Sequence, residues 1–293
     1  MSSQMHLTII VPIYNVAPYL DKCLGSILQQ NLNNYEVIMV NDASEDEGGT
    51  IAKSWSEKFP QFKYIEHEHN RGLSAARNTA LEHAQGEFVT FLDSDDYLEE
   101  NTLSSCLSEI ADADVIEYPI QKNCIDRKPV KWTPNSKTLS FEEWMKDNGF
   151  NHCYAVNKVY RLSLWNDVKF PIGLNFEDIR TIPQVLQKAN KIKGCQKGTY
   201  YYCERAGSIS NTMNTENLKD FTTALVELLS HPLNTHNHTL YIRALNAQTT
   251  YQRYGGKSQL VPRRHIPWSY FLEDGLNTRE RIKFLWYKIT RHA

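Results

Sequence analysis

The sequence predicts an α/β protein: a mostly parallel sheet with helices on both faces, then a small helical C-terminal segment. Apolar runs of strand length recur as far as Tyr118. Stripes of helical period separate them, which is the signature of βαβ units. The polar residues that break the pattern gather directly after the strands.

Leu7-Thr8-Ile9-Ile10-Val11 is a continuous apolar run suited to a strand covered on both faces. Leu20, Cys23, Leu24, Ile27 and Leu28 follow at helical spacing. Tyr35 to Val40 reads as the second strand, and Ile51, Ala52, Trp55 and Phe59 mark the next helix. A third strand is expected at Phe62-His67, a third helix from Leu73 to Ala84 and a fourth strand at Phe88-Leu92. Leu103, Cys106, Leu107 and Ile110 mark a fourth helix leading into Val115-Tyr118. The whole is a Rossmann-like sheet, in which ligands bind beyond the carboxyl ends of the strands. From 120 to 215 the pattern loosens into short strands around one helix near Ile179-Lys188. Beyond Asn217 the chain reads as helical, with a break near Val261-Pro267. The expected division is a ligand-binding domain over 1–215 and a helical extension over 216–293.

The 293 residues suffice for one large domain with a small appendage. A net charge of −2 offers no general attraction to nucleic acid, so nucleic acid is not expected as a partner. Met1 to His6 lacks a leader pattern and no run reaches the roughly 18 apolar residues of a membrane span. The six cysteines show no pairing pattern and read as reduced thiols, Cys23 and Cys106 as small hydrophobes. A cytoplasmic location is the expectation.

The strand ends share a chemistry. Pro12-Ile13-Tyr14-Asn15 follows the first, Asn41-Asp42-Ala43-Ser44 the second and Asn70-Arg71-Gly72 the third. The fourth ends in Asp93-Ser94-Asp95-Asp96, three carboxylates that repel one another unless a cation joins them. Mg²⁺ or Mn²⁺ suits such a place, taking one or two carboxylates and completing its shell with phosphate oxygens and water. The plainer reading is an acidic N-cap for the next helix. Glu177-Asp178 likewise opens an apolar helix, where acids suit the helix dipole.

These strings, with Asn70-Arg71-Gly72-Leu73-Ser74-Ala75-Ala76-Arg77-Asn78, occur in order and at strand ends. Together they resemble the family-2 inverting glycosyltransferases of bacterial polysaccharide biosynthesis. Asn157-Lys158-Val159-Tyr160, Phe170-Pro171-Ile172-Gly173, Glu177-Asp178 and Arg205-Ala206-Gly207-Ser208-Ile209-Ser210 extend the likeness, which covers roughly residues 6 to 212.

The resemblance implies the A-type glycosyltransferase fold and metal-assisted transfer from a UDP-sugar to a hydroxyl of a glycan or lipid-linked acceptor, with inversion. It implies that Pro12, Tyr14 and Asn15 line the nucleotide pocket, that Asp42 accepts from the uracil N–H and that Ser44 lies with them. Asn70 and Arg77 would border that pocket, Asp93 would meet the ribose or sugar, and Asp95 would bind Mn²⁺ or Mg²⁺. Arg205, Ser208 and Ser210 would face the diphosphate. Asp178 would be the general base, with Glu177 beside it. Adjacent residues at a helix start point apart, so only one is expected to reach the acceptor. Thr181 stands where the family commonly has an aromatic residue.

The rival class is a non-catalytic nucleotide-sugar-binding module, which would be expected to lose its metal acids or base. A dinucleotide dehydrogenase would need a Gly-x-Gly-x-x-Gly after the first strand, and a nucleotidyltransferase a Gly-rich basic loop; Pro12-Asn15 supplies neither. His231, His236 and His238 read as surface histidines, and Tyr200-Tyr201-Tyr202 as a half-buried strand. Ile282, Leu285, Trp286 and Ile289, flanked by Arg279, Arg281, Lys283, Lys288 and Arg291, form a basic amphipathic stripe. Segment 277–293 would then either lie on the inner face of an anionic membrane or dock on the catalytic domain.

Overall fold

The computed structural model describes residues 7–205, 214–234, 237–262, 264, 281–282 and 285–286. The chain separates into two compact units, Met1–Asn211 and Thr212–Ala293.

In the first unit, strands β1 (Leu7–Ile13), β2 (Tyr35–Asn41), β3 (Phe62–Glu66) and β4 (Phe88–Phe91) alternate with helices α1 (Ala17–Leu28), α2 (Gly48–Ser54) and α3 (Leu73–His83). Then come β5 (Tyr97–Leu98), α4 (Thr102–Ile110), β6 (Val115–Glu117), β7 (Ile120–Asn123), β8 (Val130–Trp132), β9 (Thr138–Leu139) and α5 (Phe141–Lys146). The unit closes with β10 (Lys158–Arg161), α6 (Glu177–Gln187), β11 (Ile192–Gly194) and β12 (Tyr200–Cys203).

The main sheet has the order β3-β2-β1-β4-β10-β6-β11-β9. Its first four strands are parallel, with Ile9 opposite Val37 and Thr90. Every residue of β1 and β2 is buried, as largely apolar strands covered on both faces require; the buried Glu36 of β2 accepts from the Thr8 hydroxyl of β1 at 2.6 Å. The Leu20, Cys23, Leu24 and Ile27 stripe of α1 is buried, and the small Ala75, Ala76 and Ala80 are buried in α3 as it packs on β1 and β2. Strand β10 runs antiparallel between β4 and β6. Its reversal places the loop before β10 at the edge where β4 ends, so that loop joins the ligand edge.

A second sheet, β5-β12-β7-β8, packs short strands from the irregular region. The single helix expected there is α6, but α5 forms as well. Its capping box, Ser140 with Glu143, is a start signal present in the sequence. All six cysteines are free, with Cys23 and Cys106 fully buried.

The second unit contains α7 (Thr215–Leu229) and α8 (His238–Arg253), which pack on each other. Gln248 reaches the Ser258 carbonyl at 2.9 Å and the Tyr241 hydroxyl the Pro262 carbonyl at 3.0 Å, fastening the following segment. Ser208, Ser210, His236, Arg279, Lys283, Lys288, Ile289 and Arg291 lie outside the described residues.

Candidate active site

The site forms where β4 ends. The three carboxylates there take separate partners. Asp96 is buried and accepts from the Tyr200 hydroxyl at 2.6 Å and the Cys203 backbone N–H at 2.7 Å. Burial, with Asp95 and Asp93 beside it, pushes its carboxyl well up. Asp95 accepts from Arg205 Nε at 2.5 Å; burial and the neighbouring Asp93 charge raise its carboxyl, and Arg205 opposes them. Asp93 accepts from Arg77 Nη2 at 2.8 Å. The acids do not cap a helix: β5 follows them, and α4 starts later behind Asn101. Among the described residues no three metal-ligating side chains converge. Asp95 instead offers one half-buried carboxylate in surplus negative charge, which fits Mg²⁺ or Mn²⁺ in its usual mode of few carboxylates plus phosphate oxygens.

Arg77 departs most from expectation. Expected to border the nucleotide pocket, it is sealed in, at 1% exposure, beneath three carboxylates. Its Nη1 donates to Glu177 at 2.7 Å and to Asp178 at 3.0 Å, while Nη2 serves Asp93. Phe170 and Phe91 lie against the guanidinium, centroids 5.2 and 5.9 Å away. The side-chain amide of Asn78, one residue on, fixes Phe170 by donating to its carbonyl at 2.8 Å and accepting from its N–H at 2.9 Å. Burial alone would make Arg77 easier to deprotonate; Asp93, Asp178 and Glu177 outweigh it and raise its pKa.

Glu177 and Asp178 open α6 behind Phe176, which sits in the left-handed region at φ 57°. The side chains were expected to diverge, but both reach one Arg77 nitrogen. Burial first, then the Asp178 charge, pushes the Glu177 carboxyl up to about 7 against the pull of Arg77. Burial also raises Asp178, opposed by Arg77 and by the Ala155 N–H, which donates to Oδ2 at 3.0 Å. Thr181, at the expected aromatic position, is buried and turns its hydroxyl back onto the Glu177 carbonyl at 2.8 Å.

In the sequence Lys158 stands out only as a member of the Asn157-Lys158-Val159-Tyr160 string; the structure gives it a specific place. Its buried ammonium donates to the His152 and Tyr154 carbonyls at 2.8 and 3.0 Å and meets Glu117 at 3.2 Å. It thereby shapes the loop that presents the Ala155 N–H to Asp178. A lysine followed by β-branched and aromatic residues was the available signal: an ammonium there must find carbonyls and an acid.

The loops after β1, β2 and β3 are stitched together by hydrogen bonds. Asn15, at φ 51°, accepts from the Glu45 N–H at 2.9 Å, and its own N–H donates to Ser44 Oγ at 3.1 Å. The Ser44 hydroxyl in turn donates to Asn41 at 2.6 Å. Tyr14 is exposed, whereas Pro12, expected to line a pocket, is buried within β1. The buried Asp42 accepts from the Arg71 and Gly72 N–H groups at 2.9 and 2.7 Å and lies 2.6 Å from His67 Nδ1. It therefore ties the β3 loop to β2, with Gly72 at φ 86° making the turn. Exposed Asn70 accepts from the same Gly72 N–H at 3.1 Å.

A parallel half-sheet extended by a reversed strand, with acids at the end of β4 and at the start of α6, defines an A-type glycosyltransferase fold. Residues 8–167 match Glycosyl transferase family 2, and the chain belongs to that family. Glycosyltransferase GlyA of Streptococcus pneumoniae serotype 4 is 35% identical over 220 residues, covering 70% of this chain and 31% of GlyA. The uncharacterized glycosyltransferase EpsJ of Bacillus subtilis is 30% identical over 218 residues, covering 70% of this chain and 62% of EpsJ. The chain thus matches under a third of GlyA and under two thirds of EpsJ. The crystal structure of Staphylococcus aureus TarS 1-349 in complex with UDP-GlcNAc aligns with a TM-score of 0.67 at 26% identity, covering 96% of this chain and 79% of that one.

Proposed function

We propose that the chain transfers a sugar from a UDP-sugar to a hydroxyl of a glycan or lipid-linked acceptor, with inversion and with help from Mg²⁺ or Mn²⁺. The observation behind this reading is the Arg77 cluster, which joins a donor-side acid, Asp93, to an acceptor-side pair, Glu177 and Asp178. The UDP-GlcNAc held by the similar TarS structure supports the donor class.

In this reading Tyr14, Asn15, Ser44 and Asn70 border the nucleotide, and Asp42 holds their loops as well as facing the base. Pro12 acts from within β1 by setting the course of the chain into Tyr14 and Asn15. Asp95 would hold the divalent ion, which neutralises charge on the departing diphosphate when bound. Arg205, now on Asp95, and Ser208 lie in the segment that would meet the same phosphates. Asp178 takes the acceptor proton as the hydroxyl attacks the face opposite UDP. Arg77 favours the ionised form of that carboxylate against the effect of burial and aims it, and the Ala155 N–H fixes its second oxygen.

The testing experiment is thermal unfolding with a panel of UDP-sugars, each with Mn²⁺ and with chelator, followed by assay of UDP release. A UDP-sugar should raise the melting temperature, since a ligand bound only by the folded state stabilises it. No rise with any UDP-sugar would remove the donor assignment. Binding without UDP release to any hydroxyl acceptor would return the chain to the non-catalytic reading.

A further inference from the structure

A cavity of about 450 Å³ opens between α5, the end of β11 and His152 of the loop before β10, within the range of small-ligand sites. It lies on the same sheet face as the Arg77 cluster. Lys158 pairs with Glu117, and Tyr160 lies opposite Val89 across β10 and β4. Directly paired residues share a face, so Glu117, Lys158 and Tyr160 lie on the side of Phe91, against which Arg77 sits.

Trp132, Trp144, His152, Asn135, Asp147 and Gln196 line it. The half-buried Trp132 stacks on His152 with centroids 3.8 Å apart. Trp144 is fixed by its Nε1, which donates to Glu117 at 2.9 Å. Gly149 lets the chain close over Trp144, because a Cβ there would come within 2.3 Å of the indole. Aromatic faces carry negative potential and attract polarised C–H groups; the amides and the carboxylate beside them donate to or accept from hydroxyls. A pyranose ring offers both surfaces.

His152 lines the cavity and Ala155 donates to Asp178, so three residues of chain, spanning at most about 11 Å, separate them. That is the reach of a short run of sugar rings. We propose that this cavity is an acceptor subsite that takes a neutral pyranose of the acceptor glycan, a ring or two from the hydroxyl at Asp178. Its acceptor role rests on the glycosyltransfer reading above.

The test is saturation-transfer NMR on the full chain with cellobiose, maltose and chitobiose as probes, beside the UDP-dependent melting shift. At least one disaccharide should bind. Trp132→Ala and, independently, Gln196→Ala on the exposed rim should weaken it about tenfold or more, as loss of a principal contact does. The UDP shift should be unchanged in both variants. Absence of binding by all three probes, or equal binding by wild type and both variants, overturns the subsite. A wild type that binds a disaccharide but shows no UDP shift keeps the sugar site and removes the donor reading instead.

Discussion

Arg77 and Asp178, 101 positions apart in sequence, meet at 3.0 Å through a nitrogen that also serves Glu177 at 2.7 Å. The other terminal nitrogen holds Asp93, so one guanidinium sets the spacing between the end of β4 and the start of α6. Three carboxylates around one cation leave net negative charge, which suits the proposed role of Asp178 as proton acceptor.

Arg77→Gln should lower stability by about 3–5 kcal/mol, the cost of leaving buried charges without their partner. Arg77→Lys should fall between, since an ammonium cannot fork to both sides. Urea midpoints at pH 8 and pH 5 check the cause. Protonation of Glu177 and Asp178, both already raised by burial, at pH 5 should narrow the gap to wild type; an equal gap at both would make the loss one of packing.

Asp178→Asn should slow transfer by roughly 10²–10⁴-fold, the range for removal of a general base. UDP affinity, read by calorimetry, should hold. Glu177→Gln should cost less. Near-normal turnover by Asp178→Asn, or parallel loss of UDP binding, would move the base to Glu177.

Turnover should climb as pH rises through about 7. The two acids titrate as a pair, and Glu177 stands near 7 because of burial and the Asp178 charge. The sign for stability is opposite. A carboxyl raised on folding binds more protons folded than unfolded, so its stabilisation is full at low pH and is lost as pH climbs through about 7. Glu177→Gln should move the acid limb of the rate profile downward and flatten the fall in stability between pH 5 and 7. A limb that stays in place would show that the pair does not set it.

Asp95→Ala should make the protein behave as wild type does in chelator: transfer lost, and UDP bound with an affinity that no longer responds to Mn²⁺ or Mg²⁺. Calorimetry with and without metal supplies a readout independent of turnover. Wild-type transfer that survives chelation would end the metal role of Asp95.

Removal of 277–293 should reduce sedimentation with anionic vesicles and leave the melting temperature nearly unchanged. Ile282 and Trp286 are 61% and 44% exposed, and each basic neighbour adds about 1 kcal/mol near such a surface. Equal sedimentation with and without the tail would favour docking on the protein.

The parallel half of the fold was legible because β1, β2 and β4 are buried on both faces and show it as predominantly apolar runs. The acids of β4 and α6 were legible as motifs, but their partners were not. Nothing near Arg77 in sequence announces that it turns inward, since Glu177 and Asp178 arrive from the far end of the unit. Asp96 reads in the sequence as the acid of the cluster without a role of its own; its distinction comes from Tyr200, which the sequence presents only as part of a strand. The short strands of the second sheet pair across long separations, as Tyr200 with Leu98 and Ile120 do, so local periodicity could not order them.

The burial of Arg77 also bears on how the first unit opens. If the first turn of α6 frays, Asp178 releases the Ala155 amide and Arg77 is left with Asp93 alone, a cost too great for gradual loosening. The start of α6 and the loop before β10 should therefore breathe as one cooperative patch, with the Ala155 amide exchanging its hydrogen at the same rate as the amides of the first α6 turn.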